Sequence, residues 1–331
     1  MTRLLHRSLL CVVVLLAGCT SLRSAPRPAE PPPSRQGVIT FHGYHVWYRI
    51  VGDHDESGKL PLLCLHGGPG ASHDYLEPLE AMARTGRRLI FYDQLGGGNS
   101  DHPHNPAMWT VPLFVEELGA VRNALGLDHV HILGQSWRGM LAMEYALTHP
   151  TGVASLALAD APASMPQWVA EAKRLRAELP PDVQQTLLEH ERAGTTDDPA
   201  YQEALAVYYR RHLCRLDPLP GYLQRSLDKL AQDPEVYNTL NGPSEFFVTG
   251  TLKDWNIVNR LGEIHVPTLV LGGRYDEATP AITETVHRGI PGSQWVIFEH
   301  SAHMPHVEET ERYLQVLTDF LNGVETRPPS P

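Results

Sequence analysis

The chain has 331 residues, of which 42% are hydrophobic and 20% charged, and its formal net charge is -11. That length holds one large α/β domain with an insertion, or two modest domains, and the apolar fraction is enough for a sizeable core. No basic patch accompanies the acidic balance, so nucleic acid is excluded as a partner and only a mild attraction for cations remains.

At the N-terminus, Arg3 and Arg7 precede an apolar run over 9–16 and then Ala17-Gly18-Cys19. A basic start, a short apolar stretch and small residues read as an export signal over 1–18, too short for a comfortable transmembrane helix. Leu16-Ala17-Gly18-Cys19 is similar to a bacterial lipobox, which makes Cys19 the expected lipidation site. The alternative is an ordinary cleaved signal. The expected location is the bacterial cell envelope, anchored by lipid only. Thr20, not aspartate, points to the outer membrane where the host has one. Residues 19–37 are proline-rich and read as a solvated tether. With Cys11 lost and Cys19 acylated, Cys64 and Cys214 remain, so no disulfide framework is implied. Cys64 lies in an apolar run and is expected to be a buried thiol.

The body of the chain alternates. Tyr44–Val51 is aromatic and β-branched, as in a strand. Short apolar runs follow at 60–65, 88–92, 130–133, 155–159, 266–271 and 294–298. Such runs suit parallel strands covered on both faces. Helical patterns lie at 113–125, 137–147, 279–290 and 310–321. The predicted fold class is therefore α/β, a mostly parallel doubly wound sheet. Asp53-His54-Asp55-Glu56 reads as a solvated hairpin tip, and His129 and His131 as surface positions. From 163 to 261 the rhythm changes to helical segments rich in charge and aromatics, read as an inserted helical cap. The core then spans 38–162 and 262–322, and 323–331 forms a disordered tail.

The segment Gly134-Gln135-Ser136-Trp137-Arg138-Gly139 sits between a strand and a helix. A serine on that tight turn is an exposed nucleophile candidate. Asp276 follows the strand ending at Leu271, and His303 follows the last apolar run. Together these are the orienting acid and the base that acyl transfer requires, in the chain order Ser, Asp, His. The backbone amides of Gly68, in His66-Gly67-Gly68-Pro69-Gly70, and of Trp137 are the candidate oxyanion donors. His300, His303 and His306 lack the accompanying ligands of a zinc site, so no metal and no cofactor is expected. Arg138 departs from G-x-S-x-G, where glycine is usual. It either turns outward along the first helical turn or pushes the helix away and spoils the oxyanion amides.

These residues carry a family resemblance. His66-Gly67-Gly68-Pro69-Gly70, Tyr92-Asp93-Gln94-Leu95-Gly96, Gly134-Gln135-Ser136-Trp137 and Asn241-Gly242-Pro243-Ser244-Glu245-Phe246 resemble the α/β-hydrolase prolyl aminopeptidases, also called proline iminopeptidases, and especially their tricorn-interacting branch. The resemblance implies the α/β-hydrolase fold and a peptide or amide substrate with a free N-terminal residue, proline or a broader apolar set. It also implies that Glu245, Glu277 and Tyr237 hold the substrate amine. The competing readings are an esterase, lactonase or amino-acid amidase on the same scaffold, and a peptide-binding lipoprotein impaired by Arg138. The oligomeric state is left open.

Overall fold

The computed structural model describes residues 32–326. The expected signal over 1–18, Cys19 and the tether up to residue 31 lie outside the described residues, as does 327–331.

Eight strands form one sheet: β1 Ser34–Phe41, β2 Tyr44–Val51, β3 Leu62–Leu65, β4 Leu89–Tyr92, β5 Val130–Gln135, β6 Val153–Ala159, β7 Thr268–Gly273 and β8 Gln294–Phe298. Their order is β1-β2-β4-β3-β5-β6-β7-β8. The first two run antiparallel to each other and β2 runs antiparallel to β4, while every other pair is parallel. Two expectations are corrected here. Residues 34–37 belong to β1 and not to a tether, with Ser34 opposite Val51. This polar run has no apolar signal of its own, and its extended form comes from the neighbouring strand. Asp53–Glu56 is not a hairpin tip, because β2 and β3 are separated by β4. Asp55 instead accepts from the Arg88 amide at 2.7 Å and pairs with its guanidinium.

Alternation along each central strand sends side chains to two buried faces. Leu63, Leu65, Val130 and Ile132 join one cluster, and Leu62, Cys64 and Leu133 the other. Both faces are therefore apolar, which is why these strands read as unbroken runs. Helices α1 (Val111–Ala124), α2 (Trp137–Ala146) and α8 (Pro280–Gly289) cover the first face. A 3-10 segment, His73–Thr85, and α10 (Thr310–Glu325) cover the second. Helix α1 starts where Thr110 accepts the Leu113 amide at 3.3 Å with Pro112 in the first turn, a usual N-terminal pattern. Along α10 the buried residues Tyr313, Leu317, Phe320 and Leu321 follow the helical period.

Glu325 corrects two further expectations. It is the last residue of α10, so 323–325 is helix and not tail. Its carboxylate meets Arg87 at 2.8 Å, His131 at 3.2 Å and the Leu60 amide at 2.9 Å. His131 is thereby buried under α10 rather than at the surface. Burial opposes the Glu325 charge, but the hydrogen bonds from His131, Arg87 and Leu60 outweigh it and hold the carboxyl at about 2.

Between β6 and β7 come α3 (Met165–Arg176), α4 (Pro181–Ala193), α5 (Pro199–His212), α6 (Gly221–Gln232) and α7 (Glu235–Leu240). Ser164 and Asn256 pair as an isolated bridge and bring the two ends of this helical stretch together. Cys64 and Cys214 are buried free thiols.

Candidate active site

Strand β5 ends at Gln135 and α2 begins at Trp137, so Ser136 alone makes the turn. Its φ is 54° and ψ is -123°. A side-chain-bearing residue in such a conformation costs about 1–3 kcal/mol. The turn is held by the Ser136 amide on Ala159 O at 2.8 Å and by the Gly139 amide on Ser136 O at 2.8 Å. Gly139 supplies the close approach of helix to sheet: a Cβ there would lie 2.3 Å from that of Ala161. The packing role of the motif's second glycine thus falls one residue later than usual, which frees position 138.

Arg138 uses that freedom, and neither of the two expected outcomes occurs. It is wholly buried, and the serine turn is intact. Its guanidinium lies 4.4 Å from the Tyr92 ring centroid and donates to the Tyr92 hydroxyl. It also pairs with Glu117 at 3.4 Å, and its Nε donates to Gln94 Oε1 at 3.3 Å. A buried guanidinium is tolerable when a carboxylate and an aromatic face meet it. Burial pushes the Glu117 carboxyl up to about 7, although the Arg138 charge and the Leu95 amide pull it down.

Asp276 follows β7 and His303 follows β8, and both are buried. His303 Nδ1 lies 2.6 Å from Asp276 Oδ1, which also accepts the Ala278 amide at 2.8 Å. The neighbour of Ser136 reaches the same corner: Gln135 Nε2 donates to His303 O at 3.1 Å. The His303 ring packs edge-on against Trp168, with centroids 6.0 Å apart. Ser136, Asp276 and His303 therefore gather at the carboxyl ends of β5, β7 and β8, where an open α/β sheet forms its crevice. The helical stretch between β6 and β7 contributes here too. The His212 carbonyl, at the end of α5, accepts the Glu277 amide at 3.3 Å and the His303 amide at 3.2 Å.

The loop after β3 closes the other side. Gly68 has φ of 117°, and a Cβ there would sit 2.7 Å from the Ala71 nitrogen, so only glycine fits. His66 Nδ1–H donates to Gly67 O at 2.8 Å, and its Nε2 accepts the Gln94 amide at 3.2 Å. That bonding requires a neutral ring. Burial, then the nearby Arg138 charge, holds His66 down at about 3. The Gly67 amide donates to the Tyr75 hydroxyl, which donates to Gln135 Oε1 at 2.7 Å. Gly68, Pro69, Ser136 and Trp137 border a cavity of about 20 Å³ that Met140, Met165, Trp168 and Leu252 help to wall. The Trp137 amide is the first of α2 and has no acceptor within the helix.

Glu245 lines the same cavity. Its Oε1 accepts from the Tyr237 hydroxyl, which in turn accepts from Asn241 Nδ2 at 3.1 Å. Glu277 is 2% exposed, its Oε1 is 4.0 Å from His303 Nε2, and its Oε2 has no hydrogen-bond partner. Burial, then the charges of Glu245 and Asp276, raises the Glu277 carboxyl well above the ordinary range. Burial raises Glu245 as well, against the Tyr237 hydrogen bond and His303. Neither carboxyl has a lysine or arginine partner among the described residues.

The site also contains residues to which the sequence motifs assign no role. Tyr75, Gln94 and His212 build its frame through hydrogen bonds to distant segments, and Asp160 lies buried at the end of β6. Only the position of Asp160 directly after a strand could have drawn attention to it. Among the described residues no group of histidine, cysteine and acidic side chains has an arrangement able to hold a metal ion.

Residues 61–310 match the family described as the alpha/beta hydrolase fold. A proline iminopeptidase of Heyndrickxia coagulans is 43% identical over 289 residues, which cover 87% of this chain and 99% of that relative. The crystal structure of VinJ superposes with a TM-score of 0.86 at 46% identity, covering 88% of this chain and 100% of that one. The crystal structure of proline iminopeptidase from Mycobacterium smegmatis gives 0.82 at 41% identity, covering 88% and 99%. With a serine on the strand–helix turn and likeness along nearly the whole of these relatives, the chain belongs to the α/β-hydrolase fold family and, within it, to the proline iminopeptidases, and is a serine hydrolase.

Proposed function

We propose that the protein removes an N-terminal residue from peptides or aminoacyl amides, proline or another compact apolar residue, through an acyl-enzyme. One observation carries this reading. Glu245 and Glu277 are two buried carboxyls beside the serine-lined cavity, with a bare oxygen on Glu277 and, among the described residues, no lysine or arginine to balance either. Burying unpaired carboxylates is costly, and a substrate ammonium is the group that offsets it with charge-assisted hydrogen bonds. A blocked or internal residue brings no such charge. Tyr237, bonded to Glu245, orients that carboxylate. Met140, Met165 and Leu252 make part of the cavity wall apolar, which suits an apolar side chain.

In this reading His303 takes the proton of Ser136 as the hydroxyl attacks the scissile carbonyl, and Asp276 holds the imidazole in the tautomer that can accept it. The Gly68 and Trp137 amides receive the oxyanion, where losing one such donor costs about 10²–10³ in rate. His303 then protonates the leaving amine, and water, activated by the same imidazole, releases the acyl group. The test is a panel of aminoacyl amides, free and N-acetylated, against wild type and Ser136→Ala. Cleavage confined to free amines and abolished in Ser136→Ala supports the reading. Equal cleavage of the acetylated forms reassigns the enzyme as an esterase or amidase of the same fold.

We also infer export and lipid anchoring from Arg3, Arg7, the apolar run at 9–16 and Leu16-Ala17-Gly18-Cys19. Mass spectrometry of the mature N-terminus checks this, and an unmodified Met1 would overturn it.

A further inference from the structure

We propose that Asp160, the first residue after β6, is a neutral carboxylic acid that donates its proton to Asp276 Oδ2 and so positions the Asp276–His303 pair from behind. The proposal rests on the assignment of those two residues above and adds a fourth group to them.

Asp160 is completely buried and carries a positive φ of 55°. Its amide is tied to Leu271 O at 2.9 Å, at the carboxyl end of β7, so the side chain starts from a fixed point beside the Asp276 loop. Both of its carboxyl oxygens are buried with no hydrogen-bond partner, and so is Asp276 Oδ2. The two side chains lie within hydrogen-bonding reach of one another. Three orphaned oxygens on two facing carboxyls have one economical solution. A single proton between them turns two acceptors into a donor and an acceptor, whereas two bare carboxylates would repel with no donor to share. The division of labour on Asp276 is then complete. Oδ1 serves His303 Nδ1 and the Ala278 amide, and Oδ2 receives Asp160.

The surroundings agree. Burial, then the Asp276 charge, drives the Asp160 carboxyl well above the ordinary range, and Glu308 of α9 (Pro305–Glu308) adds to this. The Gly273 amide approaches Asp160 but forms no proper hydrogen bond to it. Tyr75 and Tyr313 of α10 feel the Asp160 charge, and burial makes both harder to ionise. Among the described residues no cation bonds either Asp160 oxygen. A proton held there leaves one negative charge on the pair, on the carboxylate the histidine uses. It also blocks rotation of the Asp276 carboxyl away from His303.

The test compares the full-length protein with Asp160→Asn and Asp160→Ala. The asparagine amide can donate to Asp276 Oδ2 just as the acid does, and is likewise uncharged. Expected for Asp160→Asn are kcat within about threefold of wild type and an unmoved acid limb of kcat/KM. Infrared difference spectra should show loss of one protonated-carboxyl band at neutral pH. Asp160→Ala, with no donor, should lose about tenfold or more in kcat with little change in KM. A carboxyl band unchanged in Asp160→Asn, or an acid limb displaced to lower pH by a unit or more, means that Asp160 is ionised and overturns the proposal. Where Asp160→Ala fails to fold, the asparagine variant and its spectrum decide alone. If Ser136→Ala retains amide turnover while the band is still lost, the catalytic assignment falls and the shared proton stands.

Discussion

Arg138 and Glu117 form an ion pair at 3.4 Å with no solvent exposure on either side chain. The pair links the first turn of α2, next to the serine, to α1. Through Gln94 and His66 it also touches the glycine loop after β3. Breaking a buried pair from one side leaves an uncompensated charge and costs about 3–5 kcal/mol. Arg138→Met should therefore destabilise strongly in urea unfolding, and Arg138→Gly, which restores the usual motif, should do so too. The double variant Arg138→Met with Glu117→Gln should recover most of the loss. Equal stability of the single and double variants would show that the pair carries no coupling.

Glu277 is a buried acid with an unpartnered Oε2. Its folded carboxyl titrates well above 4.5 because of burial and its acidic neighbours. The sign follows from linkage. Above pH 4.5 the unfolded chain releases this proton while the folded chain holds it, so stability falls as pH rises towards the folded value. Glu277→Gln removes that penalty and should raise Tm at pH 7. Each 1 kcal/mol of relief corresponds to roughly 2–4 °C in calorimetry. The same variant should lose about 10–100-fold in kcat/KM for free-amine substrates. A fall in Tm would contradict the reading of Glu277 as an unbalanced buried acid.

Substrate affinity should weaken in acid for the same reason. As pH falls through the raised values of Glu245 and Glu277, the carboxyls take up protons and cease to attract an ammonium. KM for a free aminoacyl amide should rise on the acid side in wild type and stay flatter in Glu277→Gln. Parallel KM profiles in the two proteins would place the titrating group elsewhere.

Glu325 behaves in the opposite sense. Its carboxyl is held at about 2 in the folded chain against 4.5 ordinarily. The stability it contributes is present above about pH 4.5 and is lost as pH falls through 4.5 towards 2. Glu325→Gln should lower Tm at pH 7, and the difference from wild type should shrink in acid titrations monitored by circular dichroism. A constant difference across that range would rule out an ionised Glu325 as its source.

Tyr75 joins the two halves of the site, since its hydroxyl accepts from the Gly67 amide and donates to Gln135, whose amide holds the His303 carbonyl. Tyr75→Phe leaves the Gly67 amide and Gln135 Oε1 without the hydroxyl that joins them. A drop of about tenfold in kcat with KM nearly unchanged is the expected steady-state result, because misplacement costs the transition state more than binding. A change confined to KM would argue that the chain of bonds shapes the substrate pocket instead.

Much of this protein was legible from residue order. The strands appeared as apolar runs because both faces of the central sheet are covered, so no polar residue had to interrupt them. The serine turn, the acid after β7 and the histidine after β8 were legible because α/β sheets collect such groups at strand carboxyl ends. Strand β1 was missed because its polar N-terminal half is held by β2 rather than by its own propensity, and His131 because its cover, Glu325, comes from the far end of the chain. Only the folded chain decided that Arg138 turns inward, since that depends on Glu117, Gln94 and Tyr92 arriving from three other places. The unsatisfied oxygens of Asp160, Asp276 and Glu277 are likewise invisible in residue order. Local sequence sets periodicity and turns, whereas the cost or comfort of a buried charge is set by whatever neighbours tertiary packing brings to it.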